Sequence, residues 1–219
     1  MPPNANAEFV ARMEDILDVY KRPHDPNKPV ICMDETSKQL LEETRIPITM
    51  KPGSPEKYDT EYERNGVCNI FIWLEPITGK YQVKVTDRRT RKDWAEFIKE
   101  LVDHHSSAEK VVLIMDNLNT HTEGSLYETF EPAEARRIAN KLEIHHTPKH
   151  GSWLNMAEIK LSHLSKQCLD RRIPNKETLN KEIAAWSEKQ KSMAINWQFT
   201  TDDARIKLRR LYPILESGK

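Results

Sequence analysis

Two short runs without a polar residue, each closed by an aspartate, limit the folds open to this chain more than any other feature. They are Val30-Ile31-Cys32-Met33-Asp34 and Val111-Val112-Leu113-Ile114-Met115-Asp116. Apolar at consecutive rather than alternate positions, such runs belong to buried strands, which occur in α/β sheets covered by helices on both faces. A third acid, Glu158, falls in the first turns of the helix expected from Gly151-Ser152-Trp153-Leu154-Asn155-Met156-Ala157-Glu158. Carboxylates from two strand ends and one helix can converge on a point, and a converged cluster repels itself unless cations fill it. Oxygen donors of this kind suit hard divalent metals, and pairs of such metals cut and join phosphodiesters.

Each acid also has an ordinary reading. Asp34 begins the polar exit Asp34-Glu35-Thr36-Ser37; alternation sends Glu35 to the opposite sheet face, which favours Asp34 as a ligand and leaves Glu35 as the alternative. Asp116-Asn117 is good turn chemistry, at the head of a loop that ends in His121. Asn155-x-x-Glu158 matches a capping box, in which the glutamate only reaches back to the helix start. Against that, Glu158 adjoins the apolar stripe Ala157, Leu161, Leu164 and Cys168, and Ser162 and Ser165 leave room around it. His145, His146 and His150 have no cysteine at a zinc-ligand spacing, and Trp153 reads as a core anchor. The clusters Arg88–Lys92, Arg171-Arg172 and Arg205–Arg210 either track a DNA backbone or are solvated helix faces.

The elements between these motifs set the architecture. Glu8–Tyr20 has helical periodicity, and Pro23, Pro26 and Pro29 break it before the first strand. Val30–Met33, Gly66–Leu74 and Tyr81–Thr86 read as strands, the last two joined by the turn Pro76–Gly79, with Lys51–Arg64 a loop. A helix over Lys92–His105, a strand at Val111–Met115, a helix near Pro132–Leu142 and a strand at Leu142–Thr147 follow. Helices over Leu154–Leu169, Thr178–Lys191 and Thr201–Leu211 complete the chain. The expected fold is α/β: an RNase H-like mixed five-stranded sheet, a three-strand antiparallel meander plus two parallel strands, with helices on both faces. Strands one and four are then neighbours, with Asp34 beside Asp116. Residues 1–29 read as a leader, 30–192 as the main domain and 193–219 as a helical tail.

Charge adds one asymmetry. The 219 residues carry 34 basic and 34 acidic side chains, but residues 145–219 hold 14 basic against 8 acidic, so an anionic partner would lie across that third. The three cysteines are widely spaced inside apolar stretches, as reduced buried thiols are. Met1–Ala7 lack a charged-then-apolar signal pattern, and no apolar run approaches ~18 residues, so neither a signal peptide nor a membrane span is expected.

Taken together, Cys-Met-Asp-Glu (32–35), Met-Asp-Asn-Leu-Asn-Thr-His (115–121) and Thr-Pro-Lys-His-Gly-Ser-Trp-Leu-Asn-Met-Ala-Glu (147–158) closely resemble the DDE transposases of bacterial insertion sequences related to mariner elements. Arg171-Arg172-Ile173-Pro174, Trp197–Thr201 and Asp203–Leu208 extend the resemblance, which runs from about residue 5 to residue 213. It implies Asp34, Asp116 and Glu158 as catalytic and metal-binding residues, with two Mg²⁺ ions or Mn²⁺ in their place. It also implies DNA as the partner, at element ends and a TA target, a homodimer, and cut-and-paste transposition in a bacterial cytoplasm. His121, Lys149, His150, Arg171 and Arg172 are the expected DNA or phosphate contacts; neither a membrane nor a small-molecule cofactor is expected.

Two departures stand out. Asp116 and Glu158 lie 42 positions apart, longer than in the animal mariner enzymes, with the extra length expected as a surface helix around Glu123–Arg137. The N-terminal helix-turn-helix region that reads element ends is expected to be absent, in keeping with the neutral charge. The rival readings are a transposase remnant acting as a binding and dimerisation module, and an RNase H-like nuclease acting on RNA–DNA hybrids.

Overall fold

The computed structural model describes residues 4–55, 57, 59–190 and 192–214. It begins with helix α1 (Ala7–Tyr20), where Asn6 Oδ1 accepts the Phe9 backbone N–H at 3.0 Å and satisfies one of the free donors at the helix start. Phe9, Met13, Ile16 and Leu17 recur at helical spacing and are buried. The prolines then deliver an extended chain into β1 (Val30–Glu43), followed by β2 (Tyr62–Leu74), β3 (Tyr81–Thr86), α2 (Arg91–His104), β4 (Val111–Met115), α3 (Glu123–Thr129), α4 (Pro132–Lys141) and β5 (Leu142–His146). Helices α5 (Ala157–Leu164), α6 (Lys176–Lys189) and α7 (Thr201–Lys207) come last. No helix among the described residues is long and apolar enough to cross a membrane.

The five strands stand in the order β3-β2-β1-β4-β5. The β1–β2 and β2–β3 pairs are antiparallel, while β1–β4 and β4–β5 are parallel. This is the RNase H-like arrangement expected from the sequence. Alternation divides the apolar side chains between two cores. Cys32, Val112 and Ile114 face α1, α5, α6 and α7; Ile31, Met33, Leu113 and Met115 face α2, α3 and α4. Helix α1 is therefore built into the first core.

Several boundaries differ from the sequence reading. β1 does not end at Met33 but runs to Glu43, so Asp34 lies inside a strand. Its antiparallel pairing with β2 continues to Glu43↔Tyr62 after its parallel partner β4 has stopped. That extension also makes Tyr62–Arg64, expected in a loop, the first residues of β2. The register shifts between Gln39 and Leu41, near Gly66, whose φ of +91° suits a bulge that a side chain would strain. The surface helix expected around Glu123–Arg137 is two helices, α3 and α4, and both contribute to the second core through Leu126, Ala135 and Ile138. The helix expected over Leu154–Leu169 is a short 3-10 turn at Ser152–Leu154, then α5, then a wide π turn at Ser165–Leu169. The last helix stops at Lys207, with one 3-10 turn following at Arg209–Leu211. Met1–Pro3, Lys191 and the final five positions of the expected tail lie outside the described residues.

Candidate active site

The parallel register fixes the first two acids. The β1–β4 pairs run through Val30↔Val112, Ile31↔Leu113 and Cys32↔Ile114. Asp34 follows two residues after the last β1 pair and Asp116 directly after β4, on the same sheet face by alternation and near enough for the charge of Asp116 to act on Asp34. Glu158 enters from the first turn of α5. All three line one cavity of about 590 Å³, together with Arg12, Lys149 and His150.

The capping-box alternative for Glu158 fails on hydrogen bonds. The Asn155 N–H that the glutamate would have accepted donates to Ser152 O at 2.7 Å. The Asn155 side chain instead accepts from Ala157 N at 3.1 Å and donates to Met33 O at 2.8 Å. One buried amide thus starts the helix and ties it to the strand that carries Asp34. The Glu158 carboxylate makes no hydrogen bond or ion pair among the described residues.

Electrostatics set Asp34 apart. Burial pushes its carboxyl up from the usual 3.8 to about 7, with the charges of Glu35, Glu158 and Asp116 adding to the shift and the Glu35 N–H, at 2.8 Å, opposing it. None of the three acids has a Lys or Arg partner among the described residues. An all-oxygen donor set with no Lys or Arg paired to it fits hard divalent ions. The acids are not gathered into a finished ligand shell: no three His, Cys, Asp or Glu groups among the described residues converge closely enough to hold an ion as they stand. Like charges stay apart until a cation offsets their repulsion.

Asp116 does have one contact, and it is buried. His121 Nδ1 lies 2.7 Å from Asp116 Oδ1, and His121 Nε2 lies 3.2 Å from Glu35 Oε2. Both are ion-pair distances, though neither meets the angle of a linear hydrogen bond. The imidazole stacks on Trp94 with ring centroids 5.7 Å apart. Burial alone would lower its pKa; Asp116 and Glu35 outweigh that and raise it to about 9.

The other basic positions singled out by sequence separate into two groups. Lys149 and His150 stand exposed at the cavity. They sit in the turn Pro148–Gly151, where His150 takes φ +66° and a side chain on Gly151 would meet Pro148 at 2.5 Å. His121, in contrast, is only 2% exposed and has no surface to offer DNA. Arg171 and Arg172 do not line this cavity. Arg171 pairs with Glu182, while Arg172 pairs with Glu43 at 2.6 Å and lies over the Tyr62 ring, bracing the β1–β2 extension. Sequence reasoning missed Arg12, which α1 brings to the cavity with its guanidinium on Glu8 at 2.6 Å. No local signal marks it, because the face of α1 that meets the sheet is decided by tertiary packing. The Glu35–His121 contact was half visible: alternation turned Glu35 away from the cavity, but nothing local named its partner.

An RNase H-like sheet that carries acids on its central strand, at the end of the next strand and on a following helix defines the class of fold and site. The chain belongs to the DDE superfamily endonucleases, whose family model matches residues 29–180. Among solved structures, the Mos1 transposase paired-end complex with left transposon end is similar at 15% identity and a TM-score of 0.57, covering 88% of this chain and 58% of that one. The Mos1 mariner paired-end complex with Mn is similar at 16% identity and a TM-score of 0.54, with the same coverage. The simian T-cell lymphotropic virus intasome, in complex with PP2A regulatory subunit B56 gamma, gives 14% and 0.50, covering 90% of this chain and 60% of that one. At these identities the likeness is one of fold, and this chain spans less than two thirds of each. No curated protein sequence matches the chain.

Proposed function

We propose that this chain is a transposase catalytic domain that cleaves DNA and joins the cut strand to a target, using divalent metal ions held by Asp34, Asp116 and Glu158. The observation that carries the reading is the presence of the three carboxylates on one cavity wall, with no Lys or Arg paired to any of them. Bound Mg²⁺ or Mn²⁺ would supply Lewis acidity to the attacking water or 3′-OH and to the leaving oxygen. Asp34, inside the central strand and close enough to feel both other acids, would hold the metal together with Asp116 and Glu158. Arg12, Lys149 and His150 place donors at the cavity rim, where backbone phosphates would rest.

The finer reading is cut-and-paste transposition by a homodimer, with transposon ends as substrate and a TA dinucleotide as target. Its support is the motif resemblance to mariner-related insertion sequences, together with the Mos1 complexes that share the fold and hold transposon-end DNA. A pyrimidine–purine step such as TA is easily deformed, which lowers the cost of bending a target into a recessed site.

The test is nicking and strand transfer on duplex DNA with Mg²⁺ or Mn²⁺, wild type against Asp116→Asn. The expected result is metal-dependent product from the wild type alone. Equal product from both proteins would sink the assignment.

A further inference from the structure

Glu35 and His121 form a buried pair on the far side of the sheet from the cavity, and only one of them touches a cavity acid. The two side chains are 4% and 2% exposed. By alternation Glu35 shares the sheet face of Met33, whose side chain joins the core under α2, and a carboxylate buried there is costly when ionised unless partnered. Its partner is the His121 ring, held flat against Trp94. The loop itself is pinned: His121 N donates to Leu118 O at 3.0 Å, and Ser125 Oγ donates to Thr120 O at 2.8 Å. Asp116's own backbone is fixed separately, its carbonyl 3.1 Å from His146 Nδ1.

The consequence falls on the two oxygens of Asp116. Oδ1 is fully buried against His121, yet the side chain as a whole is 40% exposed, so the exposed carboxylate oxygen is Oδ2. Glu35 cannot reach the cavity, because strand alternation points it away from Asp34.

We infer that Glu35 and His121 are positioning residues for Asp116: Glu35 orients the imidazole, the imidazole holds Oδ1, and Asp116 offers the cavity a single, pre-aimed oxygen. This rests on the reading of Asp116 as a metal ligand. Outer partners of ligating carboxylates are a recognised determinant of metal affinity, and their loss costs about 10–100-fold. A purely structural pair would leave the Mn²⁺ affinity of a folded variant unchanged. Replacing both members of a buried ion pair with apolar groups of similar volume leaves stability unchanged or raises it.

The experiment is a Mn²⁺ titration followed by electron paramagnetic resonance, without DNA, on wild type, Asp116→Asn, Glu35→Gln and the double variant Glu35→Met with His121→Leu. Thermal melts run alongside. The expected result is a folded double variant, at least as stable as wild type without metal, whose Mn²⁺ affinity is lower by about 10–100-fold. Glu35→Gln, which keeps an acceptor for the imidazole, should lose less than the double variant, and it serves as the decisive variant if the double variant does not fold. Wild-type Mn²⁺ affinity in the folded double variant, or in Glu35→Gln where the double variant fails, would overturn the positioning role. If Asp116→Asn loses Mn²⁺ while those variants keep it, only the positioning role falls. If wild type binds no Mn²⁺, or Asp116→Asn binds it undiminished, the metal-ligand reading falls and takes the positioning role with it.

Discussion

Asp34 and Glu35 are neighbours in the chain and opposites in surroundings, because one peptide step along β1 carries a side chain from one face of the sheet to the other. Glu35, on the α2 face, is buried with a histidine beside it. Asp34, on the cavity face, has only its neighbour's N–H, while burial and three negative neighbours raise its carboxyl to about 7. The fold sets His121 beside the internal carboxylate of Glu35 and leaves Asp34 without a cationic partner among the described residues. The difference teaches that one step along a strand decides whether a carboxylate is met by a protein cation or left to hold its own proton. Asp34 holds its proton up to about pH 7, which under the proposed role leaves it open to a metal ion.

The strongest way to break this comparison is to neutralise one acid on each face. Asp34→Asn, Asp116→Asn or Glu158→Gln should lower metal-dependent DNA nicking by about 10³-fold or more, because metal-assisted charge stabilisation is worth several kcal/mol. Glu35→Gln should lower it far less. Comparable losses from the two faces would erase the distinction.

The two cores offer a stability version of the same test. Ile16, under the cavity face, and Phe97, under the α2 face, are both fully buried. Chemical denaturation should show Ile16→Ala costing about 2–5 kcal/mol and Phe97→Ala about 3–5. A negligible loss at Ile16 would mean that α1 is an appendage rather than part of the wall that carries Arg12.

Smaller effects come from protons. The folded protein retains a proton on Asp34 that the unfolded chain releases near 3.8, so this contribution to metal-free stability is lost as pH rises through about 7. Melts in chelator should show wild type losing about 1–3 kcal/mol relative to Asp34→Asn between about pH 5 and pH 8. His121 also retains its proton on folding, from an ordinary 6.5 to about 9. Its contribution is complete below 6.5 and disappears as pH passes 9, so the destabilisation by Glu35→Gln should shrink as pH rises from about 6.5 to about 9 and be least in alkali. A single shared pH window for both variants would contradict the separation of the two faces. The smallest expected effect is Asn6→Ala, at about 1 kcal/mol for the lost helix cap.

Much of this was readable in the chain because its signals were local. The apolar runs before Asp34 and Asp116, the Pro76–Gly79 turn and the helical spacing of Phe9, Met13 and Ile16 each act over a few residues. What escaped depended on partners distant in sequence. β1 continues past Asp34 because β2 pairs with it as far as Glu43. Glu158 faces the cavity because Asn155 spends its side chain on Met33 and its N–H on Ser152. Arg171 and Arg172 were equally consistent with DNA contact or an ordinary surface, and acidic groups from α6 and β1 engage them. The extra length between the second and third acids proved to be core as well as surface, since Leu126 and Ile138 are buried.

The central claim is that Asp34, Asp116 and Glu158 form one metal-holding centre, and anomalous diffraction from crystals grown with Mn²⁺ tests it most directly. The account predicts manganese peaks inside the cavity with all three carboxylates as ligands. Peaks only elsewhere on the protein, or none at Mn²⁺ concentrations that support nicking, would contradict it.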